Sequence, residues 1–349
     1  MENGKPGIKR FVLRTMLALL PVALFVALYA VVDPFHVVRH YNGVSVAPGD
    51  SLERIPNKRY VAFEGFKHYN PERHFDSFIF GSSISSNFLA EAWKRHLPDS
   101  ASVYHFTEGA QTLTGIRDEL RYLTTHGIPV RHALFIIEEE MLRRPKRYNE
   151  MPFIPHYEVS PEVNRLQFHL LHFNAFRNFD IMRFKLWPTP ALADKLLEDG
   201  KVTHVPCARV EAMNEDYSTV LDSTIANHPD AYYAQMPWLV DMKPLPNPMP
   251  LSINADAEEM LREIAAILQD YHIDYVVIVP PRFRSPELSA IDHAVLCEIL
   301  GKDHVSDFSG DSTLVHDLHS YYDGIHILTP QCAGLIDRAY QKAILNFKP

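Results

Sequence analysis

The stretch Asp76-Ser77-Phe78-Ile79-Phe80-Gly81-Ser82-Ser83-Ile84-Ser85 decides the fold. Its first half is a short apolar run closed by glycine, the pattern of a strand buried on both faces. Its second half is small and polar, as where a strand hands over to a helix. The same alternation repeats outward from it. Residues 89–97 have helical composition, and Ser102-Val103-Tyr104-His105-Phe106 reads as a second strand. Ile116, Leu120 and Leu123 share one face of a helix over 113–126, and Ala133-Leu134-Phe135-Ile136-Ile137 is a third strand. After a long interruption the pattern resumes. A helix over 255–271 carries Met260, Ile264, Ala265 and Leu268 on one face, and Tyr275-Val276-Val277-Ile278-Val279-Pro280 is a fourth strand. A helix around 286–300, a fifth strand at Val305-Ser306-Asp307-Phe308 and a closing helix over 330–347 complete the series. Short apolar strands alternating with amphipathic helices predict an α/β, three-layer, doubly wound five-stranded parallel sheet, flavodoxin-like in its winding. In such a sheet the reactive side chains stand at the carboxyl ends of the strands.

The interruption, about 143–250, holds many Pro, Tyr, Phe and His residues and only patchy periodicity. A structureless loop of that length is improbable in a compact domain, so it is predicted to be an insertion with short helices of its own. Leaving the sheet after the third strand, it is expected to cover the strand ends and select the substrate. Its Tyr148, Tyr157, Trp187, Tyr232, Tyr233 and Trp238 either stack on sugar rings or fill a small core. Residues 33–74, rich in Pro, Gly, Tyr and charges, read as a connecting segment ahead of the domain at 75–349. His68 and His74 are expected to decorate its surface.

Upstream, Thr15 to Val32 is free of charges, about enough for one membrane crossing. Lys5, Lys9, Arg10 and Arg14 precede it and Asp33 follows. The positive-inside tendency puts the first residues in the cytoplasm and the remainder across the membrane. The expectation is a single-pass anchor (1–32) in the inner membrane with the domain extracytoplasmic (periplasmic). A cleavable signal peptide is the rival, weakened by the poor cleavage site at Leu28-Tyr29-Ala30.

Composition narrows the classes. The 349 residues are 46% hydrophobic and 22% charged, which is ordinary for a globular chain. A net charge of -9 argues against nucleic acid as a partner. Cys207, Cys297 and Cys332 are odd in number and widely spaced, matching neither a zinc site nor a disulfide framework. His316-Asp317-Leu318-His319 lacks a carboxylate cluster of suitable spacing, so neither a metal nor a cofactor is expected.

Two loops carry the chemistry. Gly81-Ser82-Ser83-Ile84-Ser85 follows the first strand, where a serine is presented beside backbone N–H groups at a helix start that can hold an oxyanion, although a serine there is also an ordinary helix cap. Near the C-terminus, Asp323-Gly324-Ile325-His326 precedes the last helix. An Asp and a His three apart on one loop can set the carboxylate against one imidazole nitrogen and leave the other for a serine, making the imidazole a general base.

A Gly-x-Ser after the first strand and an Asp-x-x-His before the last helix, on a five-strand frame, resembles the SGNH (GDSL-type) hydrolase superfamily, in its membrane-anchored cell-envelope branch. The resemblance covers roughly residues 75–140 and 254–345. It implies Ser83 as nucleophile, Asp323 and His326 as acid and base, and the N–H groups of Ser83 and Gly109 as the oxyanion hole. The family's third block supplies an oxyanion Asn. Here that place reads Glu138-Glu139-Glu140, either a general-base site or, on the simpler view, a solvated or lysine-paired turn.

Two classes of function stay open. The first is a serine esterase or O-acyltransferase acting on an extracytoplasmic carbohydrate or lipid-linked acyl ester. The second is a weakly catalytic or non-catalytic assembly protein beside an envelope-polymer system, which the missing Asn favours.

Overall fold

The computed structural model describes residues 5–33, 35, 37–39, 57–146, 153–187, 189, 191, 192, 195, 208–217, 219–245 and 251–342. Cys207 and Tyr148 lie outside them, as does the expected extension of the closing helix past 342.

Five strands form one parallel sheet: β1 (Ser77–Gly81), β2 (Val103–Thr107), β3 (His132–Ile136), β6 (Asp274–Val279) and β7 (Val305–Asp307), in the order β2-β1-β3-β6-β7. β4 (Ala208–Val210) and β5 (Glu215–Tyr217) make a separate antiparallel ribbon within the insertion. All five expected strands are present, displaced by a residue or two at most.

Alternation along the strands sends side chains into two apolar layers. Phe78, Phe80, Phe106 and Phe135 meet the helices Leu113–Thr125, Ala255–Asp270 and Ala290–Leu300 on one face. Ile79, Leu134, Val276 and Ile278 meet Trp93 and the helix Thr329–Lys342 on the other. β1 is second in that order, with its two chain successors, β2 and β3, on opposite sides of it. That reversal opens the crevice above β1 in which doubly wound sheets place their sites.

The connecting segment requires correction. Within 33–74, Lys58–Arg73 is a helix whose Tyr60, Phe63 and Phe66 are buried against the domain. Asn57 caps it, its Oδ1 accepting from the N–H groups of Arg59 and Tyr60. Aromatic residues three apart supply the buried face, so this helix is part of the domain and not a lead-in. Phe63→Ala is expected to cost about 3–5 kcal/mol of unfolding free energy. A loss of roughly 0.5 kcal/mol or less, as at surface positions, would restore the connector reading. Denaturant unfolding in detergent measures it.

Among the described residues one helix, Gly7–Val32, is long and apolar enough to cross a membrane, and its surface is almost wholly free of protein contact. Its last turns meet the insertion. Phe25 and Tyr29 pack on Phe173 and Phe176 of the helix Arg165–Phe176.

Candidate active site

Register brings the first three loops together. Gly81 of β1 pairs with Thr107 of β2 on one side and Ile136 of β3 on the other. Two residues beyond these strand ends come Ser83, Gly109 and Glu138, in the loops at the carboxyl edge. Gly81 has to be glycine, since a Cβ there would lie 2.5 Å from Ser85 Cβ.

The turn Ser82-Ser83-Ile84-Ser85-Ser86 presents four hydroxyls with four separate fates. Ser82 is buried, its Oγ donating to Glu138 Oε1 while it accepts from the Ile84 N–H. Ser85 is wholly buried beside His105 Nε2 at 3.1 Å, and its hydroxyl donates to Ser82 O. Ser86 Oγ donates to the Ser83 carbonyl. Ser83 alone reaches the Asp323–His326 loop. Its Oγ donates to His326 Nε2 at 3.0 Å, and the opposite ring nitrogen, Nδ1, donates to Asp323 Oδ2 at 2.8 Å. Both bonds are satisfied together by the neutral imidazole protonated on Nδ1.

Asp323 is fixed in turn by the N–H groups of Ile325 and His326, which donate to its Oδ1 at 3.0 and 2.9 Å. Burial pushes its carboxyl up, but these bonds and the His326 side chain outweigh burial and hold it below the usual carboxylate range. Gly324, between them, sits at φ +82, a conformation that a side chain would strain. The Ser83 and His326 side chains are partly exposed.

Ser85, His105 and Glu215 form a second serine–histidine–carboxylate row, with His105 Nδ1 at 3.6 Å from Glu215 Oε1. It is buried throughout, and Glu215 also accepts from the Ala90 N–H, so it braces β2 against the insertion and meets no solvent. Local sequence carries no trace of it, because Glu215 is more than a hundred residues from its partners.

Ser83–Asn87 is a single five-residue 3-10 turn, not the start of a long helix, so the helix-start contribution expected at Ser83 is reduced to individual N–H groups. Among the described residues nothing accepts from the N–H of Ser83 or of Gly109. The loop carrying Gly109 is braced from the helix Lys58–Arg73. Arg59 Nη2 donates to Ala110 O at 2.5 Å, and its Nε lies 3.5 Å from Glu108 Oε2.

The three glutamates after β3 do not act alike. Glu139 pairs with Arg143 and accepts from Ser252 Oγ at 3.0 Å, and Glu140 lies 3.3 Å from Arg144. These pairs are to arginine, where a solvated or lysine-paired turn was expected. Glu138 turns inward to Ser82. Burial raises its carboxyl above the usual range, opposed by the Ser82 bond and by the electrostatic influence of Arg282 and His326.

Part of the insertion packs on the loop that carries Asp323 and His326. Tyr232 and Tyr233 donate their hydroxyls to the carbonyls of Tyr322 and Tyr321 at 3.0 and 2.6 Å, and Tyr322 in turn donates to Asp222. Leu239 lies over Gly324, where a Cβ would come within 2.7 Å of its Cδ1. Residues 219–245 therefore meet the carboxyl edge of the sheet. Tyr157 fills a core with His156 and Phe168, whereas Trp187 and Trp238 are exposed.

His68 and His74 are exposed, as are His316 and His319. Cys297 and Cys332 are free thiols, and burial pushes both up. Glu64, His156 and Glu158 converge closely enough to hold a metal ion, a grouping invisible in sequence because Glu64 lies far from the other two. Lys67 Nζ already lies among them, 3.3 Å from Glu64 and 2.7 Å from Glu158. Neither protein-family models nor curated proteins give a match to this chain.

Proposed function

We propose that the chain is a membrane-anchored serine esterase or O-acyltransferase of the SGNH kind. Its substrate would be an extracytoplasmic carbohydrate or a lipid-linked acyl ester. One observation carries the reading: Ser83 Oγ, His326 and Asp323 stand in an unbroken hydrogen-bonded row at a partly open sheet edge. Four serines crowd that turn, and the other three are committed elsewhere.

The chemistry follows from the row. Ser83 Oγ attacks the acyl carbonyl carbon as His326 Nε2 takes its proton. The carbonyl π pair moves to oxygen, which is held by the N–H groups of Ser83 and Gly109. Collapse expels the alcohol, which leaves with the proton from His326, and the acyl group stays on Ser83. Water or an acceptor hydroxyl then attacks with His326 again as base, and return of the proton to Ser83 closes the cycle. Hydrolysis and transfer differ only in that second nucleophile. Asp323 keeps the imidazole in the tautomer that can accept, and stabilises the imidazolium that forms.

Glu138 favours a second reading, an assembly protein with little turnover, because a carboxylate stands where the family has its oxyanion Asn. A fluorophosphonate separates the two. The esterase reading expects stoichiometric labelling at Ser83, lost in Ser83→Ala and kept in Ser82→Ala. An unlabelled wild-type protein would move the weight to assembly. Labelling that vanishes only in Ser82→Ala would overturn the register.

The basic residues before the apolar helix support an anchor whose domain lies outside the cytoplasm.

A further inference from the structure

The helix Arg165–Phe176 has two apolar stripes. Phe168, His172 and Phe176 are buried against the domain. Leu166, Leu170 and Phe173 form the second stripe, at i, i+4 and i+7, and Leu166 and Leu170 are 69% and 54% exposed. An amphipathic surface helix needs one apolar stripe, so the second calls for a partner.

The anchor helix identifies that partner. Phe173 belongs to the exposed stripe, yet its ring lies 5.5 Å from Phe25 and 5.3 Å from Tyr29. Phe176 meets the same two rings, each at 5.5 Å. At 1.5 Å of rise per residue, Phe25 lies about 10 Å and Tyr29 about 5 Å inside the helix end at Val32. Just past that end, Asp33 folds the chain back, its carboxylate accepting from the N–H groups of Val37, Val38 and Arg39. Whatever depth Phe25 and Tyr29 have in a bilayer, Phe173 shares.

We infer that residues 165–187 are a second, in-plane membrane contact, with the Leu166–Leu170–Phe173 stripe and Trp187 seated in the same bilayer that the anchor crosses. The depth fits, since interfacial helices bury their apolar face about 5–10 Å into the headgroup and acyl boundary. The composition fits as well. Trp187 is 75% exposed, and tryptophan favours the interface. Arg177 and Arg183 are exposed where lipid phosphates would lie. Two contacts instead of one would hold the domain at a set height and tilt, with no swinging on a tether. The inference rests on reading Gly7–Val32 as a membrane span and is independent of the catalysis.

Tryptophan quenching by brominated lipids tests it on the full chain reconstituted in bilayers. Trp93 is buried, donates to Tyr340 and stays in every variant as a constant background. Trp238→Phe leaves Trp187 as the exposed reporter, and Trp187→Phe leaves Trp238. Leu170→Trp and Leu20→Trp are each placed on the background lacking both exposed tryptophans. The expected result is loss of emission from Trp187 and Leu170→Trp, greatest with bromines near the headgroup. Leu20→Trp should respond most to bromines deep in the acyl chains, and Trp238 to neither. If Leu20→Trp is quenched but Trp187 and Leu170→Trp behave like Trp238, the inference is overturned and the span stands. Blue-shifted emission would then assign the stripe to a second copy or another protein helix, and red-shifted emission to water. Failure of Leu20→Trp to respond would sink the span and the in-plane contact together.

Discussion

Replacing Ser83 with alanine is expected to lower turnover of an activated ester by about three to six orders of magnitude, as for serine-triad knock-outs generally. His326→Ala should cost a similar amount, because a serine hydroxyl without a base within reach is a poor nucleophile at neutral pH. The double variant should be little worse than either single one. The hydrogen bond between Ser83 Oγ and His326 Nε2 makes them one device, and a device already broken loses little more. Ser82→Ala should cost far less. That hydroxyl caps the turn and touches Glu138, but no proton path leads from it to His326. Initial rates on the four variants measure this. Additive losses from Ser83→Ala and His326→Ala would mean that the two act separately, and the proposed mechanism would fall.

What the sequence allowed differs element by element, for physical reasons. The sheet was legible because parallel strands buried on both faces are written as unbroken apolar runs, and Phe78-Ile79-Phe80 or Val276-Val277-Ile278 admits few other readings. The serine, aspartate and histidine were legible because each sits beside a strand end or ahead of a helix that local pattern located. Helix Lys58–Arg73 was missed because Gly65, Asn70 and Pro71 dilute its propensity, while its real signals were the Asn57 cap and the spacing of Tyr60, Phe63 and Phe66. Within the insertion almost every organising contact is long-range. Asn214 donates to His105 O, Glu215 reaches the Ala90 N–H, and Tyr233 reaches Tyr321 O. Such pairings leave no period in the chain. The glutamates divide in the same way. The arginine partners of Glu139 and Glu140 stand four residues along the chain, whereas the partner of Glu138, Ser82, is 56 residues away.

Glu138 yields the second large effect, and its sign follows from which protonation state the site tolerates. As a carboxylate two residues past Ile136, it would stand near a developing oxyanion and repel it. As a neutral acid it can donate a hydrogen bond, the service an amide N–H would give. Burial raises its pKa, so the neutral form persists to higher pH than for an ordinary glutamate. Activity of the wild type should therefore fall on the alkaline side as Glu138 ionises. Glu138→Gln should remove that limb, since a side-chain amide keeps a donor in place at every pH. Glu138→Ala should lose the donor altogether, costing about 100- to 1,000-fold in kcat, with no alkaline limb. Stability gives an independent readout. The folded state keeps this proton above the pH at which the unfolded chain releases it, so Glu138 lowers unfolding free energy as pH rises through that window. Glu138→Gln should flatten that slope, whatever its effect on rate. A full set of pH–rate profiles separates the outcomes. An alanine variant as fast as wild type, with the alkaline limb unchanged in the glutamine variant, would remove Glu138 from the proposed oxyanion site.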